Sequence, residues 1–478
     1  GIQRRAGALG PAGLHRGRIG MALHAGTIPA RGMPHSGSHD GPPFGTVSFM
    51  AIAAPQSPFS DERKPVYLNV VAADRPLASP VSDATVEAAR AYRKGRIVEQ
   101  IRATDCDALL LYDPVNIRYA LDVSNMTIWM MHNAFHYAVV CADGTAVDFP
   151  YAGSEHLSAA LPGVSEVRTA TTWTYQESMG EETTEAVVRR WAAEIAELAR
   201  SHGGGSGRIA VDSCEPSGVA ALRAAGLEIV DGYPLTERAR QIKSADELEM
   251  LRWTMAVCDA GMHRLRAASA EPGRSELEIW AELHHENIRN GGEWIETRLL
   301  SSGPRTNPWF QEASQRVTRV GDMLAFDTDM IGPYGYCADV SRSWTVGHVP
   351  PTPAQRDLYL HALEQVEHNA ALLRAGLGFR EYDARSWRIP ERFQAQNYGV
   401  ILHGVGLADE SPWIATHPTF PGSASDREDL ALEAGMVVSV ESYCGEVGGA
   451  EGVKLEAQYL VTETGAERLD QLPWEDWG

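Results

Sequence analysis

The chain has 478 residues, of which 44% are hydrophobic and 22% are charged, a composition typical of globular proteins that excludes disorder of the whole chain. Its 63 acidic and 42 basic residues give a net charge of -21. The electrostatic field of such a protein repels phosphate backbones and anionic lipids, which argues against nucleic acid or a membrane as a partner. No run of about 18 apolar residues is present, so no transmembrane helix is predicted.

Six cysteines are scattered along the chain without any CxxC pair. This spacing argues against both a disulfide framework and a thiolate zinc site. We therefore predict a reducing, cytoplasmic location.

Residues 1–65 differ in composition from the rest of the chain. The first 32 residues contain five arginines and no acidic residue, and residues 33–65 are rich in Gly, Pro and Ser. We interpret 1–65 as a leader or an N-terminal extension or arm. An organellar transit peptide has the same arginine bias and stays an alternative.

Two further domains are predicted, at 66–240 and 241–478, giving an α/β (α+β) fold. Strand-like runs at 108–112 and 209–211 alternate with polar helical runs in the first domain, as in a layered α/β unit. In the second, Ser244 and Glu247 form a capping box before apolar residues spaced three and four apart, which predicts a long amphipathic helix.

Three aspartates follow one another closely within residues 323–346. Asp327 and Asp329 end an apolar run, a Gly/Pro turn follows, and Asp339 comes on the returning segment. Residues two apart on a strand face the same side, and a hairpin would bring Asp339 beside them. Carboxylates so close together require a cation between them. The alternative is that they are ordinary turn aspartates.

Three more acidic and imidazole side chains occupy strand-like segments further on. His403 ends an apolar run before two glycines, Glu441 ends the run 436–440, and Glu456 lies in an alternating segment. One imidazole with several carboxylates makes an oxygen-rich site that suits manganese, iron, cobalt or zinc. We therefore predict one or two metal ions.

These motifs resemble metallopeptidase family M24. GYCADVSRSW is similar to the family's GYxxDxxRT segment, HGVG to its histidine segment, VVSVES to its VxxEPG strand, and GVKLEAQYLVT to its final ligand strand. DPVNIRY and RARQIKSADELEMLR resemble the creatinase-type N-terminal domain and the start of the catalytic one. The resemblance implies a creatinase-like N-terminal α/β domain, a C-terminal pita-bread catalytic domain and these metal ligands: Asp327, Asp339, His403, Glu441 and Glu456.

The sequence departs from the peptidases of that family at two histidines. They usually carry a second histidine seven residues after the first, where this chain has Glu410, and another upstream of the first aspartate, where it has SSGPRTNPWFQ. Asp329 replaces a glycine of the family's DxG triplet, which can add a ligand. The same departures are found in the DddP-type branch, the dimethylsulfoniopropionate (DMSP) lyases, which implies an iron-dependent homodimer that cleaves DMSP to dimethyl sulfide and acrylate.

Two residues outside the ligand set are predicted to be catalytic. Asp409, six residues after His403, is predicted to be the base; its alternative role is that of a loop carboxylate or a helix cap. Tyr398 is predicted to hold the sulfonium cation through its ring, although core packing is an alternative for every aromatic residue near the motifs. The further aromatic candidates are Trp309, Phe310, Tyr334, Tyr336 and Trp413, with Trp129 and Trp173 from the N-terminal domain or a dimer partner.

Two rival functions share the predicted fold. An Xaa-Pro dipeptidase or aminopeptidase would use the same ligands, and a non-catalytic binding module would reuse the fold after losing them. All ligand positions are filled here, which favours an enzyme.

Overall fold

The computed structural model describes residues 77–416 and 430–477. The predicted leader at 1–65 lies outside these residues. None of the helices in the described ranges combines the length with the hydropathy that a bilayer span requires. All six cysteines lie within these ranges and are unpaired thiols.

The N-terminal half is built on a six-stranded mixed sheet. Its strands, in the spatial order β4-β3-β2-β1-β5-β6, are β1 (Ala108–Leu111), β2 (Tyr137–Cys141), β3 (Ala146–Phe149), β4 (Glu166–Val167), β5 (Arg208–Val211) and β6 (Glu228–Asp231). Its helices are α1 (Asp83–Ala103), α2 (Pro114–Leu121), α3 (Thr127–His132), α4 (Gln176–Met179), α5 (Glu181–His202), α6 (Pro216–Ala224) and α7 (Tyr233–Arg240).

Both faces of this sheet are covered by helices. Leu109 and Leu111 of β1 pack in one core cluster with Ile97 of α1, whereas Leu110 packs in another with Trp191 of α5. Successive side chains of a strand point to opposite faces, so one apolar run supplies two cores. The layered α/β arrangement predicted for this region is present.

The C-terminal half combines three small sheets with helices. The strands are β7 (Trp294–Ile295), β8 (Leu300–Ser302), β9 (Met323–Asp327), β10 (Met330–Ile331), β11 (Cys337–Ala338), β12 (Ser341–Thr345), β13 (Val400–Val405), β14 (Asp409–Ala415), β15 (Val437–Gly445), β16 (Gly452–Val461) and β17 (Ala466–Arg468). The sheet orders are β11-β10-β7, β12-β9-β8 and β14-β13-β15-β16-β17. The helices are α8 (Ala245–Ser269), α9 (Glu276–Arg289), α10 (Pro353–Ala371), α11 (Phe379–Arg385) and α12 (Glu391–Gln394).

The long helix predicted after residue 240 is α8, and it begins where its capping box predicts. Ser244 accepts a hydrogen bond from the backbone N–H of Glu247, whose side chain accepts one from the Ser244 backbone in return. Ser275 and Glu278 repeat the device at the start of α9. These caps fix where the two helices start, because each satisfies two backbone donors that a helix leaves open.

Candidate metal centre and catalytic site

Six acidic and imidazole side chains meet in one cluster, which we call the acidic cluster: Asp327, Asp329, Asp339, His403, Glu441 and Glu456. Potential ligand atoms of Asp339, His403 and Glu456 all lie within 4.8 Å of one another. Glu441 Oε1 lies 3.5 Å from His403 Nε2. The fold thus brings together the residues that the motifs single out, while their binding of a metal stays a prediction.

The aspartates form a second group that shares Asp339. Ligand atoms of Asp327, Asp329 and Asp339 lie within 4.8 Å of one another. The predicted hairpin is present, since β9 pairs antiparallel with β12 and β10 with β11. Its strands are interrupted at the aspartates: β9 ends at Asp327, Asp329 has a positive φ of 36°, and Asp339 lies between β11 and β12. A glycine adopts positive φ readily and an aspartate tolerates it, so Asp329 occupies a glycine-like turn position.

Strand pairing places the other members of the acidic cluster. Glu441 lies directly opposite Glu456 in the antiparallel β15–β16 pair, and β13 lays His403 against the other edge of β15. Asp327 pairs with Ser341 at the end of β9, and Ser341 Oγ donates to Glu456 at 2.9 Å. The cluster therefore depends on the register of three adjoining strands and on one hydroxyl that links it to β12.

The carboxylates of the acidic cluster resist carrying charge together. Burial raises the pKa of Asp327 to about 6 and that of Glu441 to about 8, with Glu456 adding repulsion and Lys454 opposing the rise. Burial, again with repulsion from Glu456, lifts the pKa of Asp339 well above its usual range. Burial also acts to raise the pKa of Glu456, but Lys454 and His403 together outweigh it and hold that pKa at about 2. Such a set favours binding a cation.

The donor atoms fit a metal ion. Asp327 Oδ1, Asp339 Oδ1 and Glu441 Oε1 are buried without a hydrogen-bond partner in the described chain, although buried oxygens are normally satisfied. His403 Nδ1 lies 3.2 Å from the Gly404 carbonyl oxygen, which selects the tautomer with its proton on Nδ1. Nε2 is then left to face the carboxylates as a lone-pair donor, a usual arrangement for a metal-binding histidine.

Lys454 is a member of the site that sequence reasoning missed. Its buried Nζ lies 2.8 Å from Glu441 and Glu456 and 3.4 Å from Asp327. A signal was available, because Lys454 precedes Glu456 by two residues on one strand and so shares its face. The chain supplies a fixed positive charge to the acidic cluster.

Asp409 lies at the edge of the acidic cluster. Its Oδ1 is 3.8 Å from His403 Nδ1, and 60% of its side-chain surface is exposed. Partial burial raises the pKa of Asp409, and the charge that His403 carries in the metal-free protein opposes the rise. We call the exposed side of the acidic cluster at Asp409 the cleft. A carboxylate in this position is open to a small molecule and stands close to the predicted metal.

Tyr398 lies close to the acidic cluster, beside Lys454. Its ring centroid is 5.4 Å from that of Phe310, edge to face, and 5.5 Å from Lys454 Nζ. The charge of Glu441, followed by burial, raises the pKa of its hydroxyl above the usual range. Phe310 and Trp413 are 61% and 37% exposed.

Other aromatic candidates face elsewhere. The hydroxyl of Tyr336 donates to Glu247 at 3.0 Å, and that of Tyr334 lies 3.0 Å from Ser79 Oγ. Trp173 packs edge to face on Trp191 in the core of the N-terminal sheet, 4.8 Å between centroids. These three side chains are buried in the core, so the alternative of core packing applies to them rather than a contact with the substrate.

Comparison with known proteins identifies the family of this chain. The sequence model of metallopeptidase family M24 matches residues 249–463. The chain is 43% identical over 391 residues to dimethylsulfoniopropionate lyase DddP of Roseovarius nubinhibens, covering 81% of this chain and 86% of that protein. The same lyase of Roseobacter denitrificans is 40% identical, with 81% and 87% covered.

This chain belongs to metallopeptidase family M24. A solved M24 structure, the Xaa-Pro dipeptidase from Bacillus anthracis, superposes with a TM-score of 0.62 at 22% identity and covers 81% of this chain and 99% of that one. At this identity the likeness shows the fold alone, and it confirms the predicted pita-bread architecture.

Neither of the two positions at which the resemblance to the M24 peptidases predicts a further histidine holds one in this chain. Position 410 is a glutamate whose side chain is fully buried against Arg240 and Lys243. Residues 301–311 contain no histidine. The acidic cluster thus stands without the two imidazoles, and the exposed carboxyl of Asp409 lies beside it.

Proposed function

We propose that this protein is a metal-dependent lyase that cleaves DMSP to dimethyl sulfide and acrylate. The observation that carries the proposal is the 43% identity to a DddP lyase over 86% of that protein's length. The site supports it, because Asp409 stands at the edge of the acidic cluster where neither peptidase histidine is present.

We assign the metal ligands as the six members of the acidic cluster: Asp327, Asp329, Asp339, His403, Glu441 and Glu456. The unpartnered buried oxygens and the imidazole nitrogen support one or two ions. Iron is our assignment, with manganese, zinc and cobalt as alternatives, since all of them accept mixed carboxylate and imidazole ligands. When bound, such a cation supplies Lewis acidity that makes the carbon next to the substrate carboxylate more acidic.

Asp409 removes the proton from that carbon. The electron pair of the broken C–H bond becomes the C=C bond of acrylate, and the pair of the C–S bond leaves with sulfur. Dimethyl sulfide departs as a neutral molecule, so no general acid is required. The exposed carboxyl of Asp409, 3.8 Å from His403 and outside the ligand set, can then release its proton to water.

The aromatic side chains of the cleft hold the sulfonium end of the substrate. A cation with apolar methyl groups is stabilised by the faces of aromatic rings. Tyr398 and Phe310 already pack edge to face at 5.4 Å, and the exposed Trp413 lies on β14 with Asp409. We assign Tyr398 as the main contact, because its ring lies 5.5 Å from Lys454 Nζ, which is bound to the acidic cluster.

The second candidate function is an Xaa-Pro dipeptidase or aminopeptidase. The family match and the prolidase-like fold favour it. Against it stand the two missing histidines, which in the peptidases stabilise the tetrahedral intermediate of amide hydrolysis. We therefore expect proline dipeptides to be turned over far more slowly than DMSP.

Gas chromatography of the headspace above metal-loaded protein and DMSP tests the proposal. Dimethyl sulfide and acrylate should form in equal amounts, while a proline-dipeptide assay run on the same sample stays near background. Dipeptide hydrolysis without dimethyl sulfide would reverse the assignment in favour of the peptidase.

We also propose the quaternary and domain organisation. Exposed rings of Trp129, Tyr151 and Tyr175 surround Phe135 on the N-terminal half, an apolar surface of the kind that supports a homodimer. Light scattering during gel filtration tests the proposed homodimer.

We place the domain boundaries at residues 65 and 240, with a creatinase-like N-terminal domain. We assign the protein to the cytoplasm because its six cysteines are unpaired thiols.

A further inference from the structure

A buried group of charges lies directly beside Asp409. The side chain of Glu410 is 0% exposed, and its carboxylate accepts a hydrogen bond from Arg240 Nε at 3.1 Å and forms an ion pair with Lys243. These two basic side chains are 5% and 2% exposed. One carboxylate held by two buried cations has little freedom to move.

The strand geometry links this ion group to Asp409. Asp409 and Glu410 are the first two residues of β14, and neighbouring side chains of a strand point to opposite faces. Glu410 is fully buried while Asp409 is 60% exposed and near His403. Because Glu410 is anchored on the buried face of the strand, Asp409 is turned toward the opposite face, which is the exposed side near His403.

The Glu410 carboxylate packs tightly against the backbone of Gly406. A Cβ atom at Gly406 would lie 2.6 Å from Glu410 Oε2. Gly406 is itself fixed, since its carbonyl accepts from the Cys337 N–H at 2.8 Å and its N–H donates to the Ala408 carbonyl at 2.9 Å. The turn between His403 and Asp409 therefore packs directly on the ion pair.

The two cations are anchored in turn. Arg240, the last residue of α7, also donates to Asn116 Oδ1, and Asn116 donates to Asp212 at 3.0 Å. The Lys243 backbone N–H donates to the Gly435 carbonyl at 3.0 Å. The anchor of Glu410 thus reaches helix α2 on one side and the start of β15 on the other.

We infer that Glu410, clamped by Arg240 and Lys243, is a positioning residue that aims Asp409 at the substrate carbon. This inference rests on the proposed function, in which Asp409 is the base. It gives the residue at the peptidases' second histidine position a role: it faces away from the cleft and sets the direction of its neighbour.

Steady-state kinetics of Glu410→Gln with DMSP and with DMSP deuterated next to the carboxylate test the inference. The variant keeps the shape of the side chain but loses the charge that Arg240 and Lys243 hold. We expect kcat to fall roughly 10- to 100-fold, the loss that follows a misplacement of about 1 Å. KM should stay within about twofold, metal content should not change, and the isotope effect on kcat should rise as proton removal becomes rate-limiting.

Asp122→Asn is the matched control, because Asp122, like Glu410, is an acid held by two basic side chains, here Arg90 at 2.7 Å and Arg93 at 2.9 Å. It should lower the melting temperature without changing kcat or the isotope effect. If Glu410→Gln does not fold, Lys243→Met removes one cation of the clamp and should give the same kinetic pattern.

An unchanged kcat, or a lower kcat with an unchanged isotope effect, would overturn the positioning role. Absence of dimethyl sulfide from the wild-type protein would instead remove the proposed function, so the two failures are distinguishable.

Discussion

The Nζ atom of Lys454 lies 2.8 Å from Glu456 Oε2, at the side of the acidic cluster that Glu441 and Glu456 form. It is equally close to Glu441, and its side chain is fully buried. A permanent positive charge therefore offsets part of the repulsion among the carboxylates even in the absence of a metal ion. The charge of Lys454 therefore stabilises the folded protein when no metal is bound.

Lys454→Met should destabilise the metal-free protein more than the metal-loaded protein. Removing one partner from a buried ion group costs about 3–5 kcal/mol, and a bound cation can take over the lost role. Thermal unfolding with a chelator and with added metal measures both forms. Arg189→Met, which breaks an exposed pair with Glu185, should change neither; equal losses in both forms of Lys454→Met would contradict the prediction.

Asp339→Asn should abolish metal binding, because Asp339 belongs to both groups of potential ligands. In the wild type, metal at about 100 times its dissociation constant should add about 2.7 kcal/mol to the free energy of unfolding. That gain, and the metal found by elemental analysis, should vanish in the variant. Asp357→Asn, which alters a carboxylate 44% exposed, is the control and should keep both.

Asp409→Asn should keep its metal and lose turnover. Removing a general base lowers kcat by roughly 10²- to 10⁴-fold, whereas the ligand set is untouched. In the wild type, kcat/KM should fall as the pH drops through the pKa of Asp409, which is raised above its usual range, since only the ionised carboxylate accepts a proton. Loss of metal in the variant would make Asp409 a ligand instead.

Tyr398→Ala should raise KM for DMSP by roughly tenfold, the size of a partly desolvated cation–π contact. Tyr398→Phe keeps the ring and should change KM by less than about threefold. Initial-rate measurements over a range of DMSP concentrations distinguish the two. Tyr336→Phe, whose hydroxyl bonds Glu247 away from the cleft, should leave KM unchanged. An equal effect of the Phe and Ala variants would show that the hydroxyl, not the ring, matters.

Asp212 should make the stability of the protein fall as pH rises from about 4 to 7. Burial raises its pKa from 3.8 to about 7, although N–H groups of Tyr112 and Asn116 oppose the rise. The native state then binds the proton more tightly than the unfolded chain, so the stabilisation is complete below the unfolded pKa and is lost as pH passes the folded one. The full change is at most about 4 kcal/mol.

Urea unfolding at about pH 5 and pH 8 compares this protein with Asp212→Asn, which cannot ionise. The variant should show a smaller decrease in unfolding free energy over that interval. Asp105→Asn, whose carboxylate is 85% exposed, should keep the wild-type dependence. An identical dependence in all three proteins would show that Asp212 stays ionised in the native state.

The sequence predicted the residues of the site better than their surroundings. His403, Glu441 and Glu456 stand in strand segments that periodicity and family motifs both indicate, and the strands formed there. Asp329 and Asp339 lie outside the strands that the sequence predicted, because a break between β9 and β10 and another between β11 and β12 interrupt the hairpin at these positions. Propensity at this scale does not resolve such turns.

The clamp on Glu410 carried no sequence signal. Arg240 and Lys243 precede it by 170 and 167 residues, and no periodic pattern connects elements so far apart. Their meeting follows from how α7 and β14 pack together. Lys454 is different, since its spacing from Glu456 already placed both on one face.

The nine-residue β15 and ten-residue β16 hold Glu441 and Glu456 face to face across one hairpin. A single residue inserted into Val437–Val440 would swing Glu441 to the far side of its sheet while leaving Glu456 in place. Length in these two strands is thus a stricter requirement than the identity of most residues along them. A scan of one-residue insertions along the chain should find the deepest loss of metal retention within this hairpin.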